Sequence, residues 1–253
     1  MKYFIYIIGI ALCFSCSQQE QKKQWVNTEK TTTPTIENKV EVESDCIDVL
    51  FSKLNLIDIQ AIDSTILVDL KYASDDNFMH QQLYFTINKV YLQQDVAQRL
   101  AACQQYLQSI HPGYSLLVYD GVRPVEVQQR MWDALDTIPV AQRGKFVSNP
   151  KNHSVHNYGA AVDLTIVDEH KHPLDMGAGY DDIRTIAYPS MEDQFLASGE
   201  LQSYQVENRK LLRKVMQHQH FINIPSEWWH FNAYSRNEVK RRYRVVEKEP
   251  DCE

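Results

Sequence analysis

The stretch HSVHNYGAAVDLTIVD, residues 153–168, decides how the chain is read. Its second half, AAVDLTIV, alternates β-branched and other apolar residues with small or polar ones, which predicts a strand. Side chains along a strand alternate between faces. Val162, Leu164 and Ile166 then point one way, into a core, and Ala161, Asp163 and Thr165 point the other. Gly159, Ala160 and Ala161 leave room on that second face for a ligand or another backbone. A loop before the strand can bring His156 back beside Asp163. From this stretch alone a hydrogen-bonded His–Asp pair is the commoner outcome, and a shared metal needs at least one more ligand elsewhere in the chain.

Working outwards, TILVDLKYA (65–73) and YSLLVYD (114–120) are also predicted strands. Between them Val96, Leu100, Cys103, Leu107 and Ile110 recur at steps of four and three, the pattern of an amphipathic helix. Pro124 opens another helix through Met131 and Leu135. Residues 139–153 are polar and read as loop. Residues 168–205 read as a long functional loop with one short helix, 206–219 as a helix, and EWWHFNAY (227–234) as the last strand. This mixture predicts an α+β fold, a small antiparallel sheet with helices packed on it.

Two further segments carry candidate chemistry. In PSEWWHF (225–231), Glu227 and His230 are three residues apart and would point oppositely along a straight strand. Glu227 is therefore expected on the loop or bulge that leads into the strand, with His230 inside it. Taken by itself, the segment reads more simply as an aromatic core strand with incidental polar residues. In YDGVRP (119–124), Arg123 follows a strand and precedes a helix, where either a site or a surface ion pair is an ordinary outcome.

Composition bounds the rest. Of 253 residues, 43% are hydrophobic and 23% charged, which is ordinary for a globular protein. The net charge of -7 argues against nucleic acid as a partner. The first 16 residues, MKYFIYIIGIALCFSC, combine a lysine, a short apolar run and a small residue before Cys16. They resemble a bacterial lipoprotein signal, which implies lipidation at Cys16 and an exported protein held at the periplasmic side of the cell envelope by a lipid anchor only. An ordinary cleaved signal with a chance cysteine is the other reading. Residues 17–44 are polar enough to be a flexible tether, and 45–253 are expected to form the folded domain. Cys46 and Cys252 lie at the two ends of that domain and are suggested as a disulfide. Cys103 sits at an apolar helical position and is expected to be a buried thiol.

Taken together, SVHNYGAAVD (154–163), EWWHF and YDGVRP resemble the zinc D-alanyl-D-alanine dipeptidase family of the vancomycin-resistance type, one of the zinc peptidases that act on bacterial cell walls. DLKYASDDNF (69–78), MGAGYDD (176–182) and NRKLLRKVMQHQHF (208–221) agree in the same order, so the resemblance spans about residues 55–232. It implies that His156, Asp163 and His230 bind one Zn²⁺. It also implies that Glu227 is the general base and that Arg123 stabilises the oxyanion. Asp181 and Tyr84 would bind the amine end of a substrate, with Ser154 helping to orient it. The implied reaction is hydrolysis of D-alanyl-D-alanine, or a related small D-amino-acid dipeptide, in wall turnover or dipeptide scavenging. A D,D- or L,D-carboxypeptidase that trims peptidoglycan stem peptides is the neighbouring alternative. His153 lies close enough in sequence to compete as a ligand, whereas His80, His170, His172, His218 and His220 match no motif.

Overall fold

The computed structural model describes residues 46–144 and 146–252. The signal-like segment with Cys16 and the tether of residues 17–44 lie outside the described residues. In chain order the elements begin with α1 (Cys46–Ser52), β1 (Leu56–Asp58), α2 (Ile59–Ile62), β2 (Leu67–Val68), β3 (Tyr91–Gln93), α3 (Gln94–Ile110), β4 (Ser115–Asp120) and α4 (Val125–Ala134). They continue with α5 (Val140–Arg143), β5 (Ala161–Val167), α6 (Glu192–Ser198), α7 (Ser203–Gln217), β6 (Ile222–Asn223), β7 (His230–Asn232) and α8 (Arg236–Arg242).

Five strands make the main sheet, in the order β2-β4-β5-β7-β6, and β1 pairs with β3 in a separate ribbon. The fold is α+β, and the main sheet is antiparallel except at one edge, where β2 runs parallel to β4. One face of the sheet presents Leu116, Val118, Val162, Leu164, Ile166 and Phe231 to the main core. Leu100, Cys103 and Leu107 of α3 and Leu212, Val215 and Met216 of α7 belong to the same cluster. Each fully buried Leu, Ile or Val contributes about 1.5–3 kcal/mol, so this layer holds the strands in register.

Two expectations need correction. The predicted strand 65–73 is cut to two residues, because Asp69 makes one more ladder bond to the Val118 carbonyl and the chain then winds into a 3-10 turn at Lys71–Ala73. That turn drops Tyr72 into a second apolar cluster with Tyr84, Val122 and Met131. The room that small residues leave on the site-facing side of β5 is filled: all seven residues of the strand are buried. Chain that precedes and follows the strand closes over this face, and small residues give it the space to do so. The polar stretch 139–153 contains the short α5 and a 3-10 turn at Pro150–Asn152. No helix among the described residues is long and apolar enough to cross a membrane.

Between Val118 and Asp120 the β4–β5 ladder shifts by one residue. Leu116 pairs with Ile166 and Val118 with Leu164, so a regular ladder would place Tyr119 opposite Asp163. The extra residue puts Asp120 there instead. Such a bulge redirects side chains from one face to the other. Asp120 therefore joins Asp163 on the site face, where an unshifted strand would have sent it into the apolar core.

Cys46 and Cys252 are bonded, which ties the first described helix to the C-terminal segment across 206 residues of chain. Cys103 is a free, fully buried thiol. Closing so long a loop is expected to stabilise the fold by about 2–5 kcal/mol. Replacing both Cys46 and Cys252 by serine should lower the unfolding free energy read from urea denaturation by that amount, and reductant should then have no further effect. An unchanged midpoint in the double variant would show that the bond contributes nothing.

Candidate metal centre and its cavity

His156, Asp163 and His230 arrive from three directions. Asp163 is in the middle of β5, and His230 is paired directly across from it on β7. His156 lies in a 3-10 turn, Val155–Tyr158, that folds back over the start of β5. Ser154 and Asn157 cap that turn reciprocally, which fixes its entry. Gly159 ends it at φ +64, and a Cβ there would collide with Leu56. Only glycine meets both demands at once.

The three donor atoms form a compact triangle. His230 Nδ1 is 2.9 Å from Asp163 Oδ1, His156 Nε2 is 3.3 Å from the same oxygen, and the two imidazole nitrogens are 3.1 Å apart. Ligands about 2.0–2.1 Å from a tetrahedral ion lie about 3.3 Å from one another, so the spacing matches one face of such a polyhedron. The far nitrogens are committed elsewhere. His156 Nδ1 donates to the Gly121 carbonyl at 2.7 Å, and His230 Nε2 donates to Asn232 Oδ1 at 2.9 Å. These bonds select the tautomers that turn both lone pairs towards the centre. Two neutral imidazoles, one carboxylate and a cavity on the remaining side are the donor set of an open, catalytic metal site. Burial opposes ionisation of Asp163, but the electrostatic attraction and hydrogen bonds of the His156 and His230 rings outweigh it and hold its carboxyl well below the usual range. His153 stays outside the trio, with its Nδ1 3.3 Å from the Tyr158 hydroxyl.

The cavity beside the trio has a volume of about 210 Å³. Glu227 stands at its wall, on the turn that leads into β7, with Oε2 3.9 Å from His230 Nδ1. It is near the trio without being one of its vertices. Burial pushes its carboxyl up, with His230 pulling the other way. Asp181 and Ser154 also line the cavity. Asp181 has φ +58 and accepts a hydrogen bond from the Tyr72 hydroxyl at 2.9 Å. Burial, followed by repulsion from Asp163, raises its carboxyl well above the usual range.

Arg123 is buried, and its partners surround it. Nε and Nη2 donate to Asp120 Oδ2 at 2.9 and 2.5 Å, Nη1 donates to Gln128 at 3.3 Å, and the guanidinium lies 5.0 Å above the Tyr72 ring. Five N–H donors are available in all, and the remainder are left for the cavity that Arg123 lines and for Asp163 Oδ2, 3.5 Å from Nη2.

Tyr84, expected at the amine end of a substrate, is placed differently. It is fully buried, and its hydroxyl donates to Asp120 Oδ1 at 2.6 Å. It supports the carboxylate that grips Arg123 and does not line the cavity. Asp120 itself was not singled out in the sequence, although it sits inside YDGVRP. The signal was available: an acid three residues before a candidate arginine, at the end of a strand. Tyr180 was also missed, and its hydroxyl donates to Asp163 Oδ2 at 3.2 Å. The loop that carries Tyr180 and Asp181 is clamped by α7. Arg209, fully buried, donates from Nε to the Met176 carbonyl at 2.6 Å and from Nη2 to the Ile186 carbonyl at 3.0 Å. Tyr204 and Gln205 hold Asp175 just before that loop.

A family model described as D-ala-D-ala dipeptidase matches residues 52–249. The chain is 35% identical over 179 residues to a D-alanyl-D-alanine dipeptidase of Escherichia coli (strain K12), covering 70% of this chain and 83% of the relative. It is 29% identical over 168 residues to a D-alanyl-D-alanine dipeptidase of Synechocystis sp., covering 56% of this chain and 68% of the relative. Among solved structures, it is similar to a vancomycin-resistance D,D-pentapeptidase in complex with Zn(II). That match has 16% identity and a TM-score of 0.32, over 63% of this chain and 82% of the other.

Tyr84→Phe removes the donor to Asp120 Oδ1 and nothing from the cavity lining. The loss of a buried hydrogen bond to a charged group is expected to cost about 1.5–3 kcal/mol of folding stability, read from urea unfolding, with metal content unchanged by elemental analysis. Unaltered stability would contradict the supporting role.

Proposed function

The chain belongs to the D-ala-D-ala dipeptidase family, and we propose that it is a Zn²⁺-dependent peptidase that hydrolyses free D-alanyl-D-alanine to two D-alanines. The observation that carries this reading is the triangle of His156 Nε2, Asp163 Oδ1 and His230 Nδ1, open towards a cavity that Glu227 and Arg123 also line. A cavity of about 210 Å³ is smaller than the pockets of about 300–1,000 Å³ that hold drug-sized ligands, which favours a substrate the size of a dipeptide. A carboxypeptidase acting on longer stem peptides is the second reading, kept because that chemistry needs the same groups.

His156, Asp163 and His230 would hold the ion. Bound there, Zn²⁺ would supply Lewis acidity towards a peptide carbonyl and bring the pKa of a water down towards about 7. Glu227 accepts a proton from the attacking water at a carboxylate oxygen and passes it to the leaving amine as the C–N bond breaks. Its raised pKa brings it nearer to neutral pH, where one group can both take and return a proton. Arg123, fixed by Asp120, offers guanidinium hydrogens to the negative charge that develops on the carbonyl oxygen. Asp181 faces the cavity and is the acceptor for the substrate's ammonium. Ammonium binding favours the ionised form of Asp181 against the burial that disfavours it.

Export and lipidation at Cys16 are part of the same proposal, supported by the signal-like sequence of residues 1–16. Several acyl chains, each contributing about 0.8 kcal/mol per buried CH₂, would hold the enzyme on a membrane. Its substrate would then be met outside the cytoplasm, which suits wall turnover or scavenging. With Cys16→Ser, the protein should move from the membrane to the soluble fraction. Retention in the membrane fraction would exclude the anchor.

Amine release from D-alanyl-D-alanine should be abolished by a chelator and restored by Zn²⁺. Glu227→Ala should retain bound zinc while its rate falls by about 10²–10⁴. Faster release of D-alanine from a stem peptide than from the free dipeptide would favour the carboxypeptidase reading.

A further inference from the structure

A free dipeptide carries a carboxylate as well as an ammonium, and the groups assigned so far leave that carboxylate unmatched. The cavity lining includes two arginines. Arg123 is buried and held by Asp120. Arg236, the first residue of α8, is exposed, and among the described residues no side chain or backbone group forms a hydrogen bond or ion pair with its guanidinium. Two further unused donors share the cavity wall. Asn232 accepts from His230 through Oδ1, which leaves its Nδ2 hydrogens without a partner, and Ser154 Oγ accepts from the His156 N–H, which leaves its own hydrogen to donate. Three unmatched donors lining one cavity offer hydrogen bonds to an anion.

Deepening the dipeptidase reading, on which this rests, we propose that Arg236, with Asn232 and Ser154, binds the C-terminal carboxylate of the substrate and so makes a free carboxylate a condition of cleavage. The spacing agrees. Asn232 is two residues beyond His230 on β7, so its side chain lies on the same face, roughly 6.6–6.8 Å along the strand. A scissile carbonyl beside His230 would put the terminal carboxylate one residue further, about 3.8 Å by the spacing of successive residues. Asn232 and Arg236 both line the cavity and would cover the difference. Asp181 at the amine end and Arg236 at the carboxylate end would then gauge the length of the substrate, since a longer peptide satisfies only one of them. The planar guanidinium suits a carboxylate because it can donate two parallel hydrogen bonds.

The experiment compares D-alanyl-D-alanine with its C-terminal amide, using zinc-loaded full-length protein. Wild type should prefer the acid strongly. Arg236→Gln should reduce the ratio of kcat/KM for acid over amide by about 10-fold to 150-fold, the range for a hydrogen bond to a charged group worth about 1.5–3 kcal/mol, with the loss falling on KM. Arg236→Lys keeps the charge without the fork and should fall between the two. Because Arg236 is exposed and unpaired, folding of both variants is checked simply by an unchanged unfolding midpoint. An acid-over-amide ratio in Arg236→Gln equal to that of wild type overturns the proposal while leaving the dipeptidase reading intact. A wild type inert towards both compounds overturns that reading and this one with it.

Discussion

Asp120 and Asp163 stand side by side on the site face only because the β4–β5 ladder shifts by one residue between Val118 and Asp120. The rest of the site follows from that shift. Asp120 takes Arg123 through two donors and receives the Tyr84 hydroxyl and the Gly121 N–H on its other oxygen. The turn that this creates, Gly121–Arg123, is joined to the turn that carries His156. The Gly121 carbonyl accepts from His156 Nδ1, the Arg123 N–H donates to the His156 carbonyl, and Asn157 Nδ2 donates to the Arg123 carbonyl. The arginine and the histidine are therefore positioned by one another. A buried pair such as Arg123–Asp120 costs about 3–5 kcal/mol when one partner is removed, so the arrangement is held in place by the penalty for breaking it.

Much of this was legible in the sequence, and the exceptions have physical causes. The helices at 94–110 and 203–217 announce themselves by apolar residues at helical spacing, and both pack as that spacing requires. Asp163 stands out because a carboxylate in a strand of apolar residues needs partners. Glu227 and His230 separate as expected, one on the turn and one in the strand. A bulge leaves no mark in single-sequence periodicity, so Asp120 was overlooked. Tyr84 could not be placed because its loop is fixed by distant groups, among them Glu249, whose carboxylate accepts the backbone N–H groups of residues 85, 86 and 87. The burial of both faces of β5 depends on a cover supplied by other parts of the chain, which alternation within eight residues cannot reveal.

Helix α7 links two functions of the fold. Its inner side, through Leu212, Val215 and Met216, closes the main core behind the sheet. Its N-terminal half reaches the other way, through Tyr204, Gln205, Asn208 and Arg209, to hold residues 175–186. The loop that presents Tyr180 and Asp181 is thus fastened to the most buried part of the molecule. A long connection usually gains mobility with length. Here its carbonyls are gripped at both ends by one buried guanidinium, and the acid at position 181 is held in the left-handed conformation that turns it into the cavity.

The free thiol of Cys103 bears on the order of oxidative folding. Three cysteines within the described residues allow three pairings, and the native bond spans the longest stretch of chain. In an open chain, closure entropy favours the shorter loops that would use Cys103. The native structure withdraws that sulfur into the core beneath α7 and pushes its thiol up to about 12, so it has almost no thiolate with which to exchange. Correct pairing is therefore a product of the fold. Packing of α3 against α7 removes the competitor, so that among the described cysteines Cys46 and Cys252 are left with each other as partners.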